Sequence, residues 1–313
     1  MGEARAGDRR RPRGHRSAGG VPPLTRVSRR GLLVAAGLTV AGGAGLVEAG
    51  VLPGRTRVHD VLGLTGEDGV VPEVPAGPVE SGSFASAARR TTVGWTVMYP
   101  HGQRADARLP VVLVLHGRGG DHTSAINDLG ADRYLTAAVQ AGTAPFALAA
   151  VDGGTDNYWH LRATGDDPQA MLMAEFVPLL AKRGLETDRY GVLGWSMGGY
   201  GALLHAADAG SARVAAAGAL SPALWRDASQ AAAGAFDGPG DFRAHEVFGR
   251  QENFKDVALR IDCGRDDPFA GAVRELRDEV TAAGGVQAGA HTAGYWRRML
   301  PDQLAFLGGA LAR

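Results

Sequence analysis

The stretch Gly194-Trp195-Ser196-Met197-Gly198-Gly199 lies between two runs of opposite character. Before it, Arg189-Tyr190-Gly191-Val192-Leu193 is short, apolar and strand-like; after it, Tyr200-Gly201-Ala202-Leu203-Leu204-His205-Ala206-Ala207 is built of helix formers. Strand, G-x-S-x-G and helix in that order read as a nucleophile elbow, a turn tight enough to push the Ser196 side chain out of the chain path. Glycine at 194 and 198 fits that reading, because a Cβ at either position would collide with the neighbouring strand or helix. The helix N-terminus then aims its free N–H groups at the place where a negative oxygen would form. In a chain with 47 glycines the bare pattern means little, and the flanking elements give it its weight.

Working outward, apolar strand candidates alternate with helical patterns on both sides. Val111-Val112-Leu113-Val114-Leu115 is apolar on both faces, as a strand in the middle of a helix-covered parallel sheet must be. Further strands fit 91–99, 146–151, 190–193, 214–220, 257–263 and about 286–289. Helices fit 125–141, 169–183, 200–209, 269–283 and 301–311, the last opening at Pro301. Such alternation over some 200 residues predicts an α/β fold, a mostly parallel, doubly wound sheet with helices on both faces. The pair 82–90 and 91–99 reads as a hairpin at one edge. Residues 230–256, with Gly234, Gly238, Pro239 and Gly240, read as a lid or excursion within a single catalytic domain spanning 82–313.

A serine hydroxyl needs an imidazole to accept its proton and a carboxylate to orient that imidazole. In this architecture the chain order is serine, acid, histidine, and only His205, His245 and His291 follow Ser196. His205 belongs to the helix leaving the elbow, and His245 to the irregular segment. His291, on the loop after the last strand, is the expected base. The acid comes from Gly264-Arg265-Asp266-Asp267-Pro268, where Asp267 is preferred and Asp266 is the neighbour that could instead cap the next helix. Asp262 points into the strand and reads as structural. The oxyanion donors expected are the N–H groups of Met197 and of Arg118, the latter in His116-Gly117-Arg118-Gly119-Gly120, with Gly119 as the substitute. No Gly-Lys-Ser/Thr follows that glycine run, which argues against a phosphate cradle. Trp195 and Trp159 are candidate substrate contacts, with ordinary packing the equal alternative. No histidines and acids recur at metal-ligand spacing, so neither metal nor cofactor is expected.

Together, Leu113-Val114-Leu115-His116-Gly117, Ser196-Met197-Gly198-Gly199-Tyr200-Gly201-Ala202, Cys263-Gly264-Arg265-Asp266-Asp267-Pro268 and His291…Tyr295-Trp296 resemble the esterase branch of the α/β-hydrolases. That branch includes esterase D-like enzymes and secreted mycolyltransferases. The resemblance covers about 82–313 and implies Ser196 as nucleophile, His291 as base and Asp267 as acid. Its members divide between hydrolases and acyltransferases, so it implies an ester substrate without fixing the acceptor. The glycines after Met197 look more like those of the general esterases.

The N-terminal region has a separate character. Residues 1–49 hold nine Arg against Glu3, Asp8 and Glu48, and Ser28-Arg29-Arg30-Gly31-Leu32-Leu33 precedes a soft apolar run, 34–47. This looks like a twin-arginine export signal, with 50–81 as a linker; an uncleaved membrane anchor is the alternative. The expected location is outside the cytoplasm, secreted or associated with the cell envelope. The remaining 24 basic and 30 acidic residues carry a net charge of about −6, which is unsuited to nucleic acid. Cys263 is the only cysteine, so no internal disulfide can form, in keeping with export after folding in a reducing compartment. It reads as a small buried hydrophobe. Three functions remain open at this point: an exported serine esterase acting on small-molecule or lipid esters, an acyltransferase with the same residues, and a non-catalytic binding protein on the same fold. Oligomeric state is not legible.

Overall fold

The structure is a computed structural model that describes His59 and residues 63–313. The expected export signal, its cleavage point and the first part of the expected linker lie outside the described residues. Eight strands form one sheet in the order β1-β2-β4-β3-β5-β6-β7-β8. They are β1 (Val79–Ser86), β2 (Thr91–Met98), β3 (Pro110–Leu115), β4 (Ala147–Val151), β5 (Glu186–Trp195), β6 (Val214–Leu220), β7 (Ala258–Gly264) and β8 (Ala283–Gln287). The hairpin β1–β2 is antiparallel and joins β4 antiparallel; every pairing from β4 through β8 is parallel. This is the α/β-hydrolase arrangement read from the sequence. β8 begins and ends earlier than expected, which leaves a longer loop before His291.

The helices, numbered in chain order, are α1 (Ser124–Asn127), α2 (Ala131–Gln140), α3 (Pro168–Met171), α4 (Val177–Lys182), α5 (Met197–Ala209), α6 (Pro239–His245), α7 (Ala270–Glu279) and α8 (Ala293–Leu311). Odd residues of β3 and β4 face a core completed by Leu172, Phe176 and Leu180, by the elbow helix α5, and by Val273 and Leu276 of α7. Even residues face a second core with Leu135 of α2 and Leu300, Leu304 and Leu307 of α8. Continuous apolar strands are thus buried on both faces, as a parallel sheet requires.

The helix expected at 269–283 closes early, at Glu279, because β8 already begins at Ala283, and three others differ more. The single helix at 125–141 is broken between α1 and α2 by Gly130, held at φ 69° with the Val71 side chain pressed against it. A π-helical turn, Leu172–Phe176, joins α3 to α4. Helix α8 starts eight residues before Pro301, so that proline sits inside it rather than opening it. Thr292 caps the true start, its hydroxyl accepting the Tyr295 N–H at 3.2 Å. The buried stripe Tyr295, Met299, Leu300, Gln303, Leu304 and Leu307 outweighs the one backbone bond that proline forfeits.

The expected linker also needs revision. Strand β1 starts at Val79, and 63–78 is not a free tether. The Gly69 N–H donates to the Gly294 carbonyl at 2.8 Å, Tyr134 Oη donates to the Val70 carbonyl at 2.7 Å, and Arg298 Nη1 donates to the carbonyls of Thr65 at 3.2 Å and Glu67 at 2.8 Å. These residues form a strap across the first turns of α8. Among the described residues no helix is long and apolar enough to cross a membrane.

Candidate active site

The strand order reverses at β3: the chain moves to β4 on one side, then returns to β5 on the other. A crevice opens at the carboxyl ends of strands at such a point, and the loops leaving β3 and β5 both border it. Ser196 follows β5 directly, with φ 55° and ψ −119°, a backbone conformation that costs a non-glycine residue about 1 kcal/mol or more. The surroundings hold it there. Its N–H donates to the Leu220 carbonyl at 2.9 Å, and its own carbonyl accepts from Ala223 at 3.0 Å and Tyr200 at 3.1 Å. A Cβ on Gly194 would overlap the Gly198 carbonyl, and one on Gly198 would overlap the Leu115 carbonyl of β3.

Ser196 Oγ lies 2.9 Å from His291 Nε2, and His291 Nδ1 lies 2.7 Å from Asp267 Oδ2. With the Nδ1 proton donated to the carboxylate, Nε2 is left to accept from the serine hydroxyl. The carboxylate is fixed at its other oxygen as well, since Oδ1 accepts the Phe269 N–H at 2.9 Å. The acid and histidine loops are stitched together by Arg265 N–H to the Gln287 carbonyl at 2.6 Å and Asp266 N–H to the Gly289 carbonyl at 2.9 Å. Side chains 24 residues apart in sequence are thereby held at bonding distance. Asp267 is fully buried and the imidazole about a quarter exposed, so the pair is dry at one end and open at the other.

Asp266 turns away from this relay and pairs with His59 Nδ1 at 2.7 Å; it does not cap α7. Asp262 is buried in β7 and bonded to Arg260 Nε at 2.7 Å and Gln303 Nε2 at 2.9 Å, the structural place expected of it. Cys263 is buried, and burial together with the Asp267 carboxylate pushes its thiol far above the usual range. His205 is buried in α5, its Nδ1 donating to Gln169 Oε1 at 2.7 Å and its Nε2 accepting from Tyr190 Oη at 2.9 Å.

Met197 is the first residue of α5, where N–H groups have no intrahelical acceptor. The Arg118 N–H has no protein acceptor among the described residues, whereas the Gly119 N–H is committed to the Thr155 carbonyl at 2.7 Å. Of the two donors expected in this loop, only the Arg118 N–H is thus uncommitted among the described residues. The loop is propped from below by His116, whose Nδ1 donates to the Gly117 carbonyl at 2.8 Å and whose Nε2 accepts the Gly153 N–H at 3.0 Å.

Ser196 and His291 open onto a cavity of about 670 Å³ walled by Tyr158, Trp195, Phe269 and Trp296, with Arg118 at its edge. Trp195 therefore reaches the cavity. Trp159 does not: it is fully buried, donates from Nε1 to the His116 carbonyl at 3.1 Å, and stands under the loop after β3. Its neighbour Tyr158 takes the cavity wall. Both adopt positive φ, 52° and 57°, a kink that the residue types alone do not announce. Phe269 and Trp296 were not singled out as wall residues, although Trp296 follows His291 closely in the chain and its ring meets the imidazole edge-to-face at 5.1 Å.

No curated protein matches this chain by sequence. Solved structures do match it in shape. A ferulic acid esterase from Anaeromyces mucronatus, bound to ferulic acid, superposes with a TM-score of 0.61 at 19% identity, over 76% of this chain and 93% of that one. A fluorophosphonate-binding serine hydrolase from Staphylococcus aureus gives 0.61 at 19% identity, over 75% and 99%. An S-formylglutathione hydrolase from Agrobacterium tumefaciens gives 0.61 at 16% identity, over 77% and 98%. In sequence, the model of the esterase family described as "Putative esterase" matches residues 86–307, more than two thirds of the chain. The protein belongs to this esterase family of the α/β-hydrolases.

Proposed function

We propose that the chain is an exported serine esterase in which Ser196, His291 and Asp267 form the catalytic triad. The observation that carries the reading is the unbroken line of contacts from Asp267 through His291 to Ser196, at 2.7 and 2.9 Å. Ser196 Oγ attacks the ester carbonyl carbon while His291 Nε2 takes its proton, and Asp267 steadies the imidazolium. The oxyanion is held by the N–H groups of Met197 and Arg118. Collapse expels the alcohol, which receives the proton from His291. Water, deprotonated by the same imidazole, then releases the carboxylic acid and restores Ser196.

Four aromatic walls around a cavity of about 670 Å³ suit a compact or flat acyl group better than a long flexible lipid chain. The ferulic acid esterases among the structural neighbours point the same way. Hydroxycinnamoyl and short-acyl esters are accordingly the substrates we favour. The acyltransferase reading differs only in the second acceptor; the neighbours named above are hydrolases and esterases, which favours water. The twin-arginine-like segment at 28–33 supports action outside the cytoplasm, in solution or at the envelope.

A fluorophosphonate probe tests the core of the proposal. The folded wild type should label and Ser196→Ala should not; a folded wild type that resists the probe would sink the triad. Hydrolysis of a panel graded from acetyl through octanoyl to feruloyl esters tests the acyl preference, and added alcohol acceptors reveal transfer. Export is tested by replacing Arg29 and Arg30 with Lys, which should trap the chain in the cytoplasm.

A further inference from the structure

Away from the triad, three side chains from two distant segments come together. His160 lies on the loop after β4; Asp241 and His245 lie four residues apart on α6, on one face of that helix. Each offers one donor atom, and the three donors lie within 4.8 Å of one another. Asp241 Oδ1 is 2.8 Å from His245 Nδ1 and 3.7 Å from His160 Nδ1. A tetrahedral zinc with nitrogen and oxygen ligands has its donors separated by about 3.3 Å, which these two distances bracket.

The hydrogen bonding around His160 makes the case stronger than proximity does. Its Nε2 is 3.0 Å from the Ala235 carbonyl and must carry the ring proton to bond there. In the neutral ring Nδ1 is then a lone pair, yet it faces only acceptors, the Leu161 carbonyl at 3.0 Å and Asp241 Oδ1. The ring is completely buried, so water cannot relieve that opposition. A metal-bound histidine commonly donates its remote N–H to a backbone carbonyl, as His160 does. Asp241 is oriented in the same manner, its second oxygen accepting the Asp237 N–H at 2.7 Å.

We propose that His160 Nδ1, Asp241 Oδ1 and His245 Nδ1 bind a zinc ion, with water completing the coordination. Two imidazoles and one carboxylate are a borderline-soft donor set that suits zinc and disfavours calcium and magnesium. The ion fastens α6 and the segment before it to the loop that carries Tyr158. It therefore stiffens one wall of the substrate cavity without touching the reacting atoms. Arg162 with Asp237 at 2.8 Å crosses the same junction, and Tyr200 Oη of α5 donates to the His245 carbonyl at 2.6 Å.

The test is zinc titration of the chelator-dialysed protein by calorimetry. The Ser196→Ala, His291→Ala background removes the triad as a competing ligand set. One zinc per chain is expected, with a rise of several degrees in melting temperature. Asp241→Asn and His245→Gln, both at partly exposed positions, should each weaken zinc binding by about tenfold or more while keeping the far-ultraviolet circular dichroism of the parent. His160→Gln should do the same if it folds, but the proposal does not depend on it. Failure of the parent to take up zinc would overturn the site, as would uptake that persists undiminished in both α6 variants; the first result would mean that His160 carries a second proton instead of a metal.

Discussion

The elbow at 194–199 and the segment 228–256 border the same cavity and are built on opposite principles. In the elbow the Ser196 N–H and carbonyl both have backbone partners within 3.1 Å, and two glycines sit where no Cβ fits. The other segment contains only a 3₁₀ turn at Ala228–Gln230, the seven-residue α6 and a 3₁₀ turn at Gln251–Phe254. Its glycines 238, 240 and 249 have nothing within 4 Å of where a Cβ would go. It is held by buried apolar side chains, Ala235, Phe242, Val247, Phe248 and Phe254, and by polar contacts to the body: Arg162 to Asp237, Arg250 to Asp208, and the His160–Asp241–His245 group. The elbow is thus a turn with no slack, while the other segment borders the cavity only through Ala232 and joins apolar anchors to polar contacts that substitution can remove.

The largest effects should come from the rigid side of this contrast. Ser196→Ala and His291→Ala should each lower kcat by about 10⁴-fold or more, with the melting temperature little changed, measured on any ester the wild type turns over. Asp267→Asn should lose about 10⁴-fold, because the amide stabilises the wrong imidazole tautomer. Asp266→Asn, one residue away, should act on stability and leave kcat within about tenfold of wild type. A reversal of the two would show that the acid has been misassigned.

Next in size is Gly198→Ala. The new methyl would enter the Leu115 and His116 carbonyls of the neighbouring loop, and we expect loss of about 3 kcal/mol or failure to fold in denaturant melts. The matching change across the cavity, Gly240→Ala in α6, meets nothing. It should raise stability by about 0.5 kcal/mol through the unfolded chain. If both changes cost the same, the contrast between the two regions fails.

Between these lies a pH effect on the elbow helix. Burial lowers the His205 imidazole to about 4, with the Arg213 charge adding to the shift. Unfolded, that ring titrates near the ordinary value of about 6.5. Between those values the unfolded chain binds the extra proton, so the stability due to neutral His205 is complete above pH 6.5 and is lost as pH falls toward 4. Relative to His205→Gln, the wild type should lose about 2 kcal/mol on going from pH 7 to 4.5, measured by urea unfolding.

The same division explains what could be read from the sequence. The elbow is a local pattern, strand, turn and helix within twenty residues, and the strand-to-helix alternation around it follows from apolar runs that have few other uses. His291 and the two aspartates were reachable because chain order eliminates other candidates. Nothing local separates Asp267 from Asp266: it is the turn after Gly264 that aims one carboxylate at His291 and the other at His59. Trp159 could not be assigned, since its partner is a carbonyl 43 residues earlier and the preceding kink places Tyr158, not Trp159, in the wall. His160, Asp241 and His245 were invisible for the same reason: the closure of the 228–256 segment brings together positions about 80 residues apart. Helix α8 was read too short because Pro301 is a strong stop signal locally and a weak one against a buried stripe running from Gly294 to Gly308.

The strap at 65–70 carries one more consequence. It grips the opening turns of α8, the helix whose cap at Thr292 directly follows His291. Shortening the chain to begin at β1 would leave the sheet complete and the elbow untouched, yet strip the brace from the histidine loop. Recombinant versions of the protein should therefore start ahead of Thr65. A start ahead of His59 would also keep that residue's pairing with Asp266, the neighbour of Asp267.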